Sequence, residues 1–267
     1  MMQDESRTFS PEEEGDQVRT EPPSPGAQEG SPGFLWRVQA LFFEPRQAFA
    51  DVVRHPTFLA ALLLCIAVSV ISTALIFSQV DMAEVMRQQI AQTPAGEQMT
   101  PDQIDQQVEQ IVNSPFFSVM QWIGPIIGTP VIVLVVSAVL LLMVYLMGGE
   151  TSFRDLFCVT AHAYIPYTIA YSVLAVLIFY LAQDPSSLDL QNPLYTNLGP
   201  LVNPRTSPVL YRLASSLDLL NLWVIYLLGL GTAAATRRFS IAKGVTAVAV
   251  PYVVYVAFRM GWAAIFG

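Results

Sequence analysis

Two histidines, His55 and His162, and two cysteines, Cys65 and Cys158, are the chain's full set of imidazoles and thiols. These are the groups that most readily act as general bases, nucleophiles or zinc ligands. A serine–histidine hydrolase or a histidine metal site needs partners at fixed geometry. No HExxH, CxxC or phosphate-cradling glycine loop accompanies them. The sequence therefore offers no catalytic residue, no metal ligand and no cofactor-binding residue, and the expectation is a protein that is not an enzyme. Both cysteines fall in or beside apolar runs and read as buried small hydrophobes. Two cysteines without a cluster imply neither a disulfide framework nor a zinc site.

The polar residues inside apolar stretches carry more information: His162, Asp218, Asn221 and Arg259. An ionisable group within a membrane span is a functional candidate by default. His162, in Ala161-His162-Ala163-Tyr164, falls one or two turns inside such a stretch. It reads either as a functional group or as a neutral histidine bonded to a nearby backbone or hydroxyl group. Arg259 and Asn221 each stand nineteen residues from Ser240, the centre of a basic turn. Adjacent antiparallel helices would set them at similar depth, with Asp218 one turn further out. Two readings stay open for Arg259: an ion pair with Asp218 assisted by Asn221, or snorkelling to the interface.

The elements that must position these residues follow from composition. Of 267 residues, 53% are hydrophobic and 13% charged, about half the charge of a soluble chain. Long lipid-facing stretches explain the deficit, because charge is costly in hydrocarbon. Apolar segments at 57–79, 120–147, 156–182, 217–235 and 244–266 are long enough to cross the bilayer. The expected fold class is an all-α polytopic membrane protein, with five transmembrane helices and amphipathic interfacial helices before the first span. Pro166 and Pro251 predict kinks in the third and fifth spans. In the second, Gly124-xxx-Gly128 allows close helix contact, and Pro125 and Pro130 interrupt the outer part.

Arginine placement orients the chain. With the N-terminus in the cytoplasm, Arg37, Arg46, Arg54, Arg154, Arg237, Arg238 and Lys243 are cytoplasmic, against Arg87, Arg205 and Arg212 outside. Five spans then put the C-terminus outside. Lys243 is the only lysine among 13 basic residues, a bias that points to a GC-rich bacterial genome and hence to the cytoplasmic (inner) membrane.

Residues 1–33 hold eight of the 21 acidic residues together with five prolines, and read as a disordered acidic tail, not a signal peptide. Residues 34–56 form two short amphipathic helices separated at Glu44-Pro45. Phe34, Leu35, Val38, Leu41 and Phe42 recur at helical spacing, with Arg37 and Gln39 on other faces. This apolar stripe either enters the cytoplasmic interface or packs on the protein itself. Residues 57–267 form the membrane domain. Within it, 80–115 predicts an outer helical hairpin whose second helix starts at the capping box Thr100-Pro101-Asp102-Gln103. Residues 183–215, with five prolines, predict an irregular outer loop.

Several stretches resemble the Yip domain family, the Ypt/Rab-interacting membrane proteins, in a bacterial-type member. They are LFFEPRQAFADVVRHP before the first span, GGETSFRDLFCVTAHAYIPY leading into the third, LDLLNLWVIYLLGLG in the fourth, and SIAKG in the closing basic turn. Gly148-Gly149, Phe153-Arg154 and Ala163-Tyr164-x-Pro166 are the most specific features. The resemblance covers about 33–267 and implies five spans with a cytoplasmic N-terminus. It also implies a link to membrane organisation or trafficking-like processes.

The expected function is a non-enzymatic membrane scaffold or adaptor. Its partners are the lipid bilayer and a protein recruited by the acidic tail, and a homo-oligomer is compatible with the sequence. Nucleic acid is not an expected partner, since there is no basic patch. The rival is a small transporter or channel using His162 or the Asp218/Arg259 region. A transporter predicts a polar cavity between broken helices at mid-membrane; a scaffold predicts a packed apolar bundle.

Overall fold

The computed structural model describes residues 33–91, 93, 95–188, 193–203 and 206–266. The expected acidic tail, apart from Gly33, lies outside the described residues, as do 189–192 and 204–205 of the expected outer loop. Among the described residues the chain is all-helical, with two isolated β-bridges and no strand.

Two short helices, α1 (Phe34–Phe43) and α2 (Pro45–Arg54), come first. Pro45 starts α2 at a position where its missing N–H costs nothing. Helix α3 (Leu59–Phe77) follows, then α4 (Met82–Ala91) and α5 (Pro101–Val112). The capping box closes as the sequence predicts, with Thr100 and Gln103 each satisfying the other's backbone N–H. Arg87 of α4 bonds Asp105 of α5 at 2.7 Å and also pairs with Glu84. These bonds, the one to Asp105 first, raise the Arg87 pKa above its ordinary value.

Helix α6 (Pro115–Ile123) passes through a π-helical turn, Gly124–Gly128, into α7 (Thr129–Leu146). Helix α8 (Phe153–Leu181) is capped by Ser152, whose hydroxyl accepts from the Asp155 N–H. After a segment with two 3₁₀ turns come α9 (Pro208–Ser216), α10 (Leu219–Ala235) and α11 (Ile241–Phe266). Helices α8 and α11 each run as one element through Pro166 and Pro251.

Among the described residues four helices are long and apolar enough to cross a membrane: Leu59–Phe77, Pro115–Leu146, Phe153–Leu181 and Ile241–Ile265. Helix α10 has 17 residues. At 1.5 Å per residue that is about 26 Å, a little under the hydrocarbon thickness.

Helix α8 is the hub. It packs against α3, α7, α10, α1 and α2, and α11 packs along α10, α9 and α7. Leu41, Phe49, Leu140, Leu156, Val159, Ile165 and Leu227 are almost wholly enclosed. The outer faces are apolar, as in Leu63, Ile71, Leu142, Val173 and Val254. An outward apolar face on a long helix is what lipid favours and water does not.

The small residues that let helices close up are not the expected ones. A Cβ at Gly124 or Gly128 would meet nothing within 4 Å, so this pair faces open space instead of a helix contact. Close packing occurs between α10 and α11. There a Cβ on Gly229 would lie 2.5 Å from Val245 Cγ2, and one on Gly244 would lie 2.2 Å from the Gly229 carbonyl oxygen. Gly231 admits Val159 and the Phe49 ring on α10's other side. A further close approach joins two turns. A Cβ on Gly149 would collide with Phe239 and Thr236, and Glu150 bridges to Arg237. Gly148, at φ 73°, supplies the left-handed residue that ends α7.

Candidate functional site

The helices before the first span belong to the bundle. Leu41, Ala48, Phe49 and Val52 are buried, and α2 packs against both α8 and α10. The Phe42 ring sits edge-on to Trp223 of α10 at 5.6 Å, and Phe34 meets the His162 ring at 6.4 Å. Phe34, Leu41 and Phe42 of the expected stripe thus line the packed face, while its Leu35, 81% exposed, faces outward together with Phe43, 77%, and Trp36, 37%. Helix α1 is apolar on two sides, and its inner side is held by the protein.

A polar cluster locks this hairpin. Arg37, 5% exposed, bonds Asp51 at 2.5 Å through Nε and donates to Thr57 Oγ1 at 2.8 Å through Nη1. His55 Nδ1 lies 3.2 Å from the other Asp51 oxygen. The cluster ties α1, α2 and the link to α3 together. The sequence held its signal: Arg37 and Asp51 each stand seven residues from Glu44, two helical turns either side of the break. The sequence reading placed Arg37 on a face other than the apolar stripe.

His162 is buried at the centre of the bundle. Its Nδ1 lies 2.8 Å from the Cys158 carbonyl oxygen. A carbonyl can only accept, so Nδ1 carries the proton and donates. Nε2 has no hydrogen-bond partner among the described residues. The arrangement is the backbone-bonded histidine of one sequence reading, and it is walled in by Phe34.

Asp218, Asn221 and Arg259 do not form the expected ion-pair group. The Asp218 carboxylate caps α10, accepting from the Asn221 N–H at 3.0 Å, and takes the Thr196 hydroxyl at 2.6 Å. It thereby docks the loop before α9 onto the bundle, a bond extended by Leu219 N–H to the Thr196 carbonyl. No Arg259–Asp218 ion pair exists among the described residues; the Arg259 guanidinium lies 5.7 Å from the Tyr255 ring centroid on its own helix. Gly229 opposite Val245 centres the α10–α11 hairpin at residue 237, not 240, so Arg259 and Asn221 are no longer level, and the Asp218 carboxylate is taken up by the cap of α10 and by Thr196. The structure brings His162 together with none of these three residues.

One cavity of about 420 Å³ lies between α3, the π-helical break and α8. Its walls include Ser72, Thr73, Thr129, Thr168, Ser172 and Tyr164, and no charged side chain. Ser172 Oγ donates to Ser72 Oγ at 3.2 Å, and Ser72 Oγ to the Ser69 carbonyl at 3.2 Å. None of His162, Asp218, Asn221 or Arg259 lines it. The sequence signal was the Gly-Pro-rich break in the second span, read there for helix contact and not for the space it opens.

Among known proteins, the model of the Yip1 domain matches residues 39–263. No curated protein and no solved structure matches the chain.

Proposed function

We propose a non-enzymatic role for this chain, which belongs to the Yip1 domain family: an integral membrane scaffold or adaptor, organising one leaflet through its N-terminal hairpin. The observation that carries this reading is the two-sided α1, with Leu41 locked in the core and Leu35, Trp36 and Phe43 left outward. An apolar edge fixed to a rigid bundle at a membrane boundary displaces lipid in one leaflet only, which is how an amphipathic element senses or generates curvature.

A five-span topology with the N-terminus in the cytoplasm accompanies the proposal. Its support is that three chain turns meet one another. Arg154 donates to the Pro56 carbonyl, Thr151 donates to the Ala235 carbonyl, and Glu150 bridges Arg237. The starts of α3, α8 and α11 then share one side. The chain leaves α8 on the opposite side, so α10 must bring it back although it is short. The side so defined holds Arg37, Arg46, Arg54, Arg154, Arg237, Arg238 and Lys243, the basic excess expected of a cytoplasmic face. The arginine-over-lysine bias favours a bacterial inner membrane, and the acidic segment 1–33 is the proposed docking site for a protein partner.

The test is reconstitution. Vesicles formed with the parent protein should be smaller and more curved, by cryo-electron microscopy, than those formed with the Leu35→Ser/Trp36→Ser/Phe43→Ser variant. These three side chains are the outward ones, so the variant keeps its bundle. Identical size distributions at equal protein density would remove the leaflet-shaping role.

A second reading, transport, is favoured by the hydroxyl-lined cavity beside a broken helix. His162 and the Asp218/Arg259 region, from which that rival started, stand outside the cavity. Solute efflux from proteoliposomes that stops with Gly128→Leu would favour it.

A further inference from the structure

We propose that the cavity between α3, the π-helical break and α8 binds an uncharged glycerolipid bearing a free hydroxyl, of the diacylglycerol class. The first argument is the chemistry of the wall. Its polar groups are hydroxyls, with no Asp, Glu, Lys, Arg or His among them. A charged headgroup would be stripped of water there with no counter-charge, so the group that fits is neutral.

The second argument is which hydrogen-bonding capacity remains. The Ser172 hydroxyl proton is used on Ser72, and the Ser72 proton on the Ser69 carbonyl. Both serines keep oxygen lone pairs. The lining offers these lone pairs beside the hydroxyls of Thr73, Thr129, Tyr164 and Tyr167, and a neutral alcohol, which both donates and accepts, matches it.

The third argument is shape. Gly124 and Gly128 border the cavity, and neither would meet a neighbour if it carried a Cβ. The bordering Ile132 is 50% exposed, on a helix whose other exposed residues are apolar. The opening therefore faces hydrocarbon. A volume of 420 Å³ lies within the range of small-ligand sites. It accommodates a glycerol head with the first methylenes, and the remaining acyl chain runs out through the gap into the bilayer.

The experiment is native mass spectrometry of the full chain released from micelles carrying dioleoylglycerol or, separately, dioleoyl phosphatidic acid. The expected result is a dioleoylglycerol adduct on the parent and on Gly261→Leu, whose position is also open but does not line the cavity. The adduct should vanish in Gly128→Leu, which fills the space. Ser72→Ala/Ser172→Ala keeps the volume and removes the hydroxyls. It should weaken the adduct about tenfold, the loss of one net hydrogen bond. No adduct on the parent overturns the proposal, as does an adduct that survives both cavity variants unchanged. Equal binding of the phosphatidic acid also overturns it, because the site would then read acyl chains and not a neutral hydroxyl.

Discussion

Substitutions in the Arg37–Asp51 pair should separate a hairpin built into the bundle from one that merely rests on the membrane. The two side chains are 6% and 11% exposed, so removing one leaves the other nearly out of water. Breaking such a pair costs about 3–5 kcal/mol. The surroundings order the two single changes. After Arg37→Met, the Asp51 carboxylate still has His55 Nδ1 at 3.2 Å, half exposed and able to bond it. That variant belongs at about 3 kcal/mol, the lower end of the range. After Asp51→Leu, the guanidinium keeps only the Thr57 hydroxyl at 2.8 Å, a neutral acceptor, and the cost moves towards about 5 kcal/mol. The double variant Arg37→Met/Asp51→Leu strands no charge and should recover most of either loss. Reversible unfolding in mixed micelles, followed by circular dichroism and by protease cleavage between 43 and 56, measures all four proteins as a double-mutant cycle. Single variants within about 0.5 kcal/mol of the parent, in the range of an exposed pair, would refute the reasoning, and so would strict additivity.

Gly231→Ala should destabilise the protein by about 1–3 kcal/mol through overpacking, because the new methyl would meet Val159 Cγ1 at 2.3 Å and the Phe49 ring at 2.9 Å. Gly261→Ala, with nothing within 4 Å, is the matched control and should leave the melting temperature unchanged or slightly raised. Asp218→Asn weakens the cap of α10 and its bond to Thr196, worth about 0.5–2 kcal/mol. Combined with Arg259→Met, its effect on the thermal midpoint should simply add, and a coupling above about 1 kcal/mol would restore an ion pair that the described residues do not show. In a cysteine-free background, single cysteines at Gln107 and Ser240 should react with an impermeant thiol reagent from opposite sides. Labelling of both from outside intact cells would end the N-in topology.

The long apolar helices were legible because a span is a one-dimensional signal. Runs at 59–77, 115–146, 153–181 and 241–265 match expected segments to within a few residues. The capping box at Thr100 was legible for a similar reason, since both halves lie within four residues. What failed depended on three-dimensional register. The symmetry argument for Arg259 used the visible basic turn at Ser240, but the glycine contact at 229 places the axis three residues earlier. The same argument applied about Glu44 would have found Arg37 and Asp51. The cavity residues come from three separate helices, and no local pattern links Ser72 with Thr129 and Ser172. The Gly229, Gly231 and Gly244 contacts were hidden because small residues abound in apolar helices, and only a known partner gives one of them meaning.

The placement of Phe49 has a consequence for biosynthesis. Helices α1 and α2 are made first, yet the groove that receives them is formed by Val159 and Gly231, more than a hundred residues later in the chain. Until α8 and α10 have been inserted, Leu41, Phe49 and Val52 have no protein to cover them. The neighbouring solvent that tolerates both their apolar stripe and the polar residues between is the membrane boundary. Meanwhile Arg37 and Asp51, only fourteen residues apart, can already close the hairpin, since short loops form early and distant contacts late. With the interfacial placement proposed above, the hairpin would wait there as a preformed part until its cradle arrives, and Leu35 and Phe43 would be the part of that first apolar surface that docking leaves uncovered.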